Sequence, residues 1–153
     1  MKKNFLPVSI DISNQKILII GGGNSAFKKL KILQRVNAEV EIIALNVCQE
    51  IKLSGVKYVE RGYKKSLLKG YIMLYSCTNN FELDKQILAD GKEMGVLVNI
   101  HDKPELCQFV SPAIYKNANI TVAVGSNAEN VHESIRIRNE IQEFLKTRNY
   151  KID

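Results

Sequence analysis

The chain has 153 residues, close to the ~150 that one domain occupies. With 45% hydrophobic and 25% charged residues it has an ordinary globular balance, which excludes collagen, coiled coil and wholesale disorder. Twenty-two Lys and Arg against 16 Asp and Glu leave a net charge of +6, so an anionic partner is expected.

Apolar runs such as 17–20 and 96–98 fall far short of the ~20 residues that a membrane-spanning helix needs. Behind Met1-Lys2-Lys3, an export signal is broken by Pro7, Ser9 and Asp11, and the expected location is the cytoplasm. Cys48, Cys77 and Cys107 are odd in number and widely spaced, which suits a reducing compartment and offers no zinc ligand set. Dedicated nucleic-acid binding is not expected either, because the basic residues are scattered and aromatics reach only 7%.

In chain order, β-branched runs at 16–20, 39–44, 56–60, 72–76 and 96–100 alternate with helical stretches, the pattern of βαβ units around a parallel sheet. The helix expected at 25–36 places Ala26, Leu30 and Leu33 on one face, and that at 81–94 places Leu83, Ile87 and Leu88 similarly. Past Asp102 the pattern changes. Runs at 108–115 and 119–124 lie too close for a crossover helix and must pair antiparallel or join different sheets. A last helix is expected at 128–146, with Ile137, Ile141, Phe144 and Leu145 along one stripe. The fold class is therefore α/β, a doubly wound, Rossmann-like domain at 1–103 followed by a small strand-strand-helix module at 104–153. That module has too few elements to stand alone and should dock on the sheet or on another subunit.

Ile20-Gly21-Gly22-Gly23-Asn24-Ser25-Ala26 is the end of a strand, a glycine turn and a helix start, matching G-x-G-x-x-A. Gly21 permits the tight turn, Gly23 lets backbone approach a pyrophosphate, and the helix N-terminus offers N–H groups to the phosphates. The acidic residue that usually follows about 20 positions on is absent. Asn46, after the second strand, is a candidate for the ribose, and NAD versus NADP stays open. Thr78 and Asn79, after the fourth strand, face the same edge of the sheet as either cofactor contacts or helix caps. The densest polar cluster, Asn99-Ile100-His101-Asp102-Lys103-Pro104-Glu105, ends the fifth strand. There a carboxylate and an imidazole beside a dinucleotide would serve proton removal coupled to hydride transfer; the alternative is a solvated loop in which Asp102 caps a turn. His132, in the last helix, is expected to be a surface residue.

Leu6-Pro7 and Asp11 before the glycine turn, Ala26-x-Lys28-Lys29 after it, and Val98-Asn99-x-x-Asp102-x-Pro104-x-x-Cys107-x-Phe109-x-x-Pro112-Ala113 together resemble the precorrin-2 dehydrogenase / sirohydrochlorin ferrochelatase module of siroheme synthase. The resemblance implies NAD-dependent oxidation of precorrin-2 to sirohydrochlorin in siroheme or cobalamin biosynthesis. Asp102 would be the catalytic base, and Gly21, Gly22, Gly23, Asn24, Ser25, Leu45, Asn46 and Thr78 the cofactor contacts. His101 and Ser126 would touch the substrate, an anionic tetrapyrrole that suits the charge of +6, and the second module would form a homodimer. Two other activities fit the same resemblance: metal chelation into sirohydrochlorin at the same site, and dinucleotide or tetrapyrrole binding without turnover. Two departures bear on the choice. The family's Ser-Ser-Gly-Gly-x-Ser-Pro is replaced by Gly125-Ser126-Asn127-Ala128-Glu129-Asn130-Val131, which keeps the serine and loses the rest. The family's third, helical domain is absent from these residues, so a more open pocket is expected and dehydrogenation is favoured over chelation.

Overall fold

The computed structural model describes residues 2–148, which divide into two compact units, 10–109 and, by itself, 2–9 with 110–148. The larger unit is a parallel sheet of β1 (Lys16–Ile20), β2 (Glu39–Ala44), β3 (Lys57–Glu60), β4 (Tyr71–Ser76) and β5 (Leu97–Ile100), in the order β3-β2-β1-β4-β5. Helix α1 (Asn24–Gln34) joins β1 to β2, α2 (Gln49–Leu53) joins β2 to β3 and α3 (Phe81–Met94) joins β4 to β5. A 3₁₀ turn at Lys65–Leu68 stands where a crossover helix would join β3 to β4. Neither that turn nor α2 is visible in the hydrophobic periodicity, because each is too short to repeat it.

β1 lies at the centre because Ile17, Leu18, Ile19 and Ile20 bury side chains on both faces, the signature of an inner parallel strand. The edge strand β3 is exposed at every position. Helix α1 buries Ala26, Leu30 and Leu33, the face expected from their spacing. Helix α3 does not follow expectation so simply. Ile87 is buried, but its companions are Asp84, Asp90 and Gly91, while Leu83 and Leu88 are half-buried. Gly91 admits this packing: a Cβ there would meet a Val98 methyl at 2.3 Å. Asp90 is satisfied inside by Tyr63 (2.8 Å) and Gln86 (2.9 Å).

The expected strand at 108–115 begins only at β6 (Ala113–Asn117). Before it, Gln108 and Phe109 run against β5 through one backbone bond and two amide side chains: Gln108 N–H donates to the Val98 carbonyl (2.8 Å), Val98 N–H to Gln108 Oε1 (3.0 Å), and Asn99 Nδ2 to the Phe109 carbonyl (2.9 Å). These bonds cover the sheet edge that β5 would otherwise expose. The division drawn from the sequence at 103/104 lies just before this docked segment.

In the smaller unit, β6 and β7 (Ile120–Val124) form an antiparallel hairpin, followed by α4 (Val131–Thr147). The helix starts three residues later than expected because Asn127 and Ala128 take positive φ (57° and 63°), and Asn130 caps it by accepting from Glu133 N–H (3.0 Å). Asn127 also ties in the N-terminal segment, accepting from Phe5 N–H (2.8 Å) and donating to the Lys3 carbonyl (2.7 Å).

At the amino edge of the sheet one carboxylate gathers four strands. Glu41 of β2 accepts from Lys16 of β1 (3.0 Å), Lys57 of β3 (2.8 Å) and the Tyr71 hydroxyl of β4. Burial alone would raise the Glu41 carboxyl, but hydrogen bonds from Lys57, Tyr71 and Lys16 outweigh it and hold the group down to about 2. A depressed carboxylate contributes stability that is complete above its ordinary value of 4.5 and fades as the pH falls toward about 2. Glu41→Gln should therefore unfold more easily than the parent by about 1–2 kcal/mol at neutral pH, allowing for water around the two lysines. Urea titrations between neutrality and pH ~2 should show that gap closing.

Candidate functional site

The carboxyl ends of the strands are locked together one residue beyond the sheet proper. Gly21 N–H donates to the Ile43 carbonyl (2.9 Å), Cys77 N–H to Ile20 (2.7 Å), His101 N–H to Ser76 (2.9 Å) and Arg61 N–H to Ala44 (2.7 Å). The glycine turn after β1, the loop after β4 and the polar cluster after β5 thus leave from one rigid rim. The strand order reverses direction between β1 and β4, which is where open α/β sheets bind ligands.

The three glycines do different work. Gly21 has φ 126°, and a side chain on it would strike the Cys77 carbonyl at 2.4 Å. At Gly22 a Cβ would meet the Asn46 carbonyl at 2.1 Å, and its own carbonyl accepts from Cys48 N–H (2.7 Å). Both therefore serve packing. Gly23, in contrast, has open space where a side chain would stand. It precedes α1 without a side-chain cap, and no acidic residue occupies the helix's first turn. An open glycine at a helix N-terminus free of carboxylates fits a pyrophosphate. Asn24 is exposed and Ser25 half-buried beside it, and Leu45 and Asn46 are exposed on the neighbouring loop, where the adenine-side ribose of a dinucleotide would pass.

Behind the turn, the Lys29 ammonium of α1 lies 4.5 Å from the centre of the Tyr75 ring, which meets Phe109 edge-on at 5.2 Å. Burial lowers the Lys29 amine, and the nearby Cys77, Cys107 and Asp102 resist that shift. Burial also pushes the Cys77 thiol up to about 11, so it stays protonated at neutral pH and is no nucleophile.

Asp102 takes a left-handed backbone conformation (φ 57°), which costs an L-residue energy and is easiest for the short polar Asn and Asp. Its side chain is 85% exposed, and Oδ2 lies 3.3 Å from Nε2 of His101. Cys107 holds the loop from inside, its sulfur 3.2 Å from the Ile100 N–H and 3.3 Å from the Lys103 carbonyl. Thr78 does not face open solvent alone: its hydroxyl donates to Asp84 Oδ1 (2.8 Å) and accepts from Asn80 N–H (3.2 Å), while Asn80 caps α3. Asn79, like Asp102, has positive φ (55°).

All the expected site residues except Ser126 belong to the larger unit. Ser126 lies in the smaller one, where its hydroxyl accepts from Asn130 N–H (3.0 Å). Sequence reasoning passed over Asp84 and gave Lys103, a member of the polar cluster, no role; the two form an ion pair of 3.0 Å with the Asp84 side chain 1% exposed. Ile87 and Gly91, at i+3 and i+7 from Asp84, mark its face as the buried one, and that spacing was the available signal.

Gly23→Ala separates ligand space from fold. Its φ of −93° suits any residue, so the variant should melt within about 2 °C of the parent. Calorimetric titration with the dinucleotide should show binding weakened by about tenfold or more, because the methyl occupies phosphate space.

A family model described as "Putative NAD(P)-binding" matches residues 8–113. Among curated proteins the chain is similar to the siroheme synthase of Vesicomyosocius okutanii subsp. Calyptogena okutanii (strain HA), 34% identical over 127 residues that make up 80% of this chain and 27% of that protein. It is similar also to that of Buchnera aphidicola subsp. Acyrthosiphon pisum (strain APS), at 32% over 127 residues, and to siroheme synthase 1 of Pectobacterium atrosepticum, at 27% over 146 residues. It spans 27% of the length of the first two and 30% of the third. Among solved structures, "SirC, precorrin-2 dehydrogenase" superposes with a TM-score of 0.76 over 92% of this chain and 70% of that one, at 18% identity, and so shares the fold. With the family's match covering well over half of its length, and with the open glycine turn that such a family needs, this chain belongs to that NAD(P)-binding family.

Proposed function

We propose that the chain oxidises precorrin-2 to sirohydrochlorin with NAD, Asp102 acting as general base. The observation that carries this reading is the placement of an exposed carboxylate, held at positive φ beside an imidazole, in the turn after β5, at the same end of the sheet as the glycine turn after β1 and separated from it by β4. The names of the similar proteins, siroheme synthase and precorrin-2 dehydrogenase, support the choice of substrate.

Bound NAD supplies the hydride acceptor. Gly23 and the first turn of α1 would hold its pyrophosphate with backbone N–H groups, and the exposed Leu45 and Asn46 and the loop of Thr78 would hold the rest of the dinucleotide at the same rim. Asp102 accepts the proton that the macrocycle loses, and His101, 3.3 Å away, is placed to share it or to meet a substrate carboxylate. Loss of a hydride from the macrocycle to the dinucleotide, together with the proton taken by Asp102, would extend the conjugation of the macrocycle, which drives the reaction. The chain's net +6 favours encounter with a polycarboxylate.

The smaller unit supports a homodimer. Among its described residues only Ser134 is buried, while Ile120, Val131, Ile135 and Phe144 are exposed apolar side chains. A hairpin and one helix with so little interior gain their core from a second copy. Among the described residues no helix is long and apolar enough to cross a membrane, and the proposed site of action is the cytoplasm.

Precorrin-2 and NAD mixed with the protein should give the visible spectrum of sirohydrochlorin and reduced dinucleotide in equal amounts. Asp102→Asn should lower kcat by about 100-fold or more with NAD binding unchanged. Undiminished turnover in that variant would remove Asp102 from the mechanism, and no turnover by the parent would reject the proposed substrate.

A further inference from the structure

Asp84 is a buried carboxylate to which the proposed reaction gives no task. It stands in the first turn of α3, 1% exposed, and three donors converge on it. Ser76 Oγ (2.7 Å) and Thr78 Oγ1 (2.8 Å) donate to Oδ1, and Lys103 Nζ (3.0 Å) donates to Oδ2. Ser76 ends β4, Thr78 sits in the loop at the reversal point of the sheet, and Lys103 follows Asp102 directly. One carboxylate therefore grips two loops that leave the same rim.

A buried ion pair is a weak source of stability, since apolar residues of similar volume hold such a site at least as well. What it can add is direction. The Asp102 side chain reaches into solvent, so where its carboxylate points depends on the backbone of 101–103. That backbone is fixed by His101 N–H on the Ser76 carbonyl (2.9 Å), by Lys103 N–H on the Ile100 carbonyl (3.2 Å), by Leu106 N–H (3.0 Å) and the Cys107 thiol (3.3 Å) on the Lys103 carbonyl, and by the Lys103 side chain on Asp84. The first and the last of these anchors tie the loop to Ser76 and to the carboxylate that Ser76 itself contacts, the others being local to the turn.

We infer that Asp84 is a positioning residue: through Lys103 it aims Asp102, and through Thr78 it holds the dinucleotide loop, so that the two loops respond as one body. The inference rests on the reading of Asp102 as the base. It is distinct from cofactor contact, because Asp84 is enclosed and touches the site only through its three donors.

The test uses Lys103→Met, Asp84→Asn and the double variant. Hydrogen exchange needs no precorrin-2 and stands apart from the proposed activity. In the parent, saturating NAD, or NADP if that binds instead, should slow amide exchange at 77–80 and at 101–106; in Lys103→Met it should slow 77–80 alone. Equal protection of 101–106 in that variant would overturn the coupling. With precorrin-2, both single variants should lose about tenfold or more in kcat, as misplacement of a reacting group does, while the KM for NAD in Lys103→Met stays within about threefold. The double variant, relieved of an unpaired buried charge, should regain the melting temperature of the parent but not its kcat. Recovery of kcat together with stability would assign Asp84 a structural role only and overturn the inference. If the parent does not turn over precorrin-2, the exchange result alone decides.

Discussion

Two close backbone approaches govern the site. Gly21 lies against the carbonyl of Cys77 and Gly22 against that of Asn46, each with no room for a single carbon. These contacts draw the exits of β1, β4 and β2 together at one rim, and they leave Gly23 as the glycine whose side-chain space is open. Any side chain at the first two positions would separate the strands' ends, and with them the loops that carry Asn46 and Thr78. The cofactor cradle is thus a by-product of how tightly three strands leave the sheet.

The opposite edge is held by charge. Glu41 ties together the amino ends of β1, β2, β3 and β4, an arrangement that resists sliding of parallel strands past one another. Sliding matters because the rim's hydrogen bonds, such as His101 N–H on Ser76, exist in only one register. Glu41 and the glycine turn therefore act at the two ends of the same strands, one fixing register and the other using it.

The sheet was legible because its signals are local. Ile17 to Ile20 read as an inner strand from composition alone, and the glycine turn read as a dinucleotide motif because it falls between a strand and a helix. What escaped is long-range or polar. The buried face of α3 was assigned to Leu83, Ile87 and Leu88; Ile87 is buried as expected, but its companions are Asp84, Asp90 and Gly91 rather than the two leucines. A carboxylate such as Asp84 enters a core only when partners from elsewhere in the chain, here Ser76, Thr78 and Lys103, arrive to satisfy it. The segment after Cys107 read as a strand, but the Gln108 side chain takes one β5 N–H and the Asn99 side chain takes the Phe109 carbonyl in place of backbone partners, and Pro112 lacks a donor. Asp102 and His101 were found as a pair by adjacency; the exposure and the positive φ of Asp102 follow from the turn that Lys103 and Cys107 close, which no periodicity records.

The central claim is that a dinucleotide lies across the rim with its reactive end toward Asp102, and the most direct measurement is a crystal structure of the complex with NAD. The pyrophosphate should rest against Gly22, Gly23 and Asn24, and the nicotinamide should lie over the carboxyl ends of β4 and β5, beside the Asp102 loop. A dinucleotide bound away from Gly23, or one whose nicotinamide points toward β2 and β3, would contradict it.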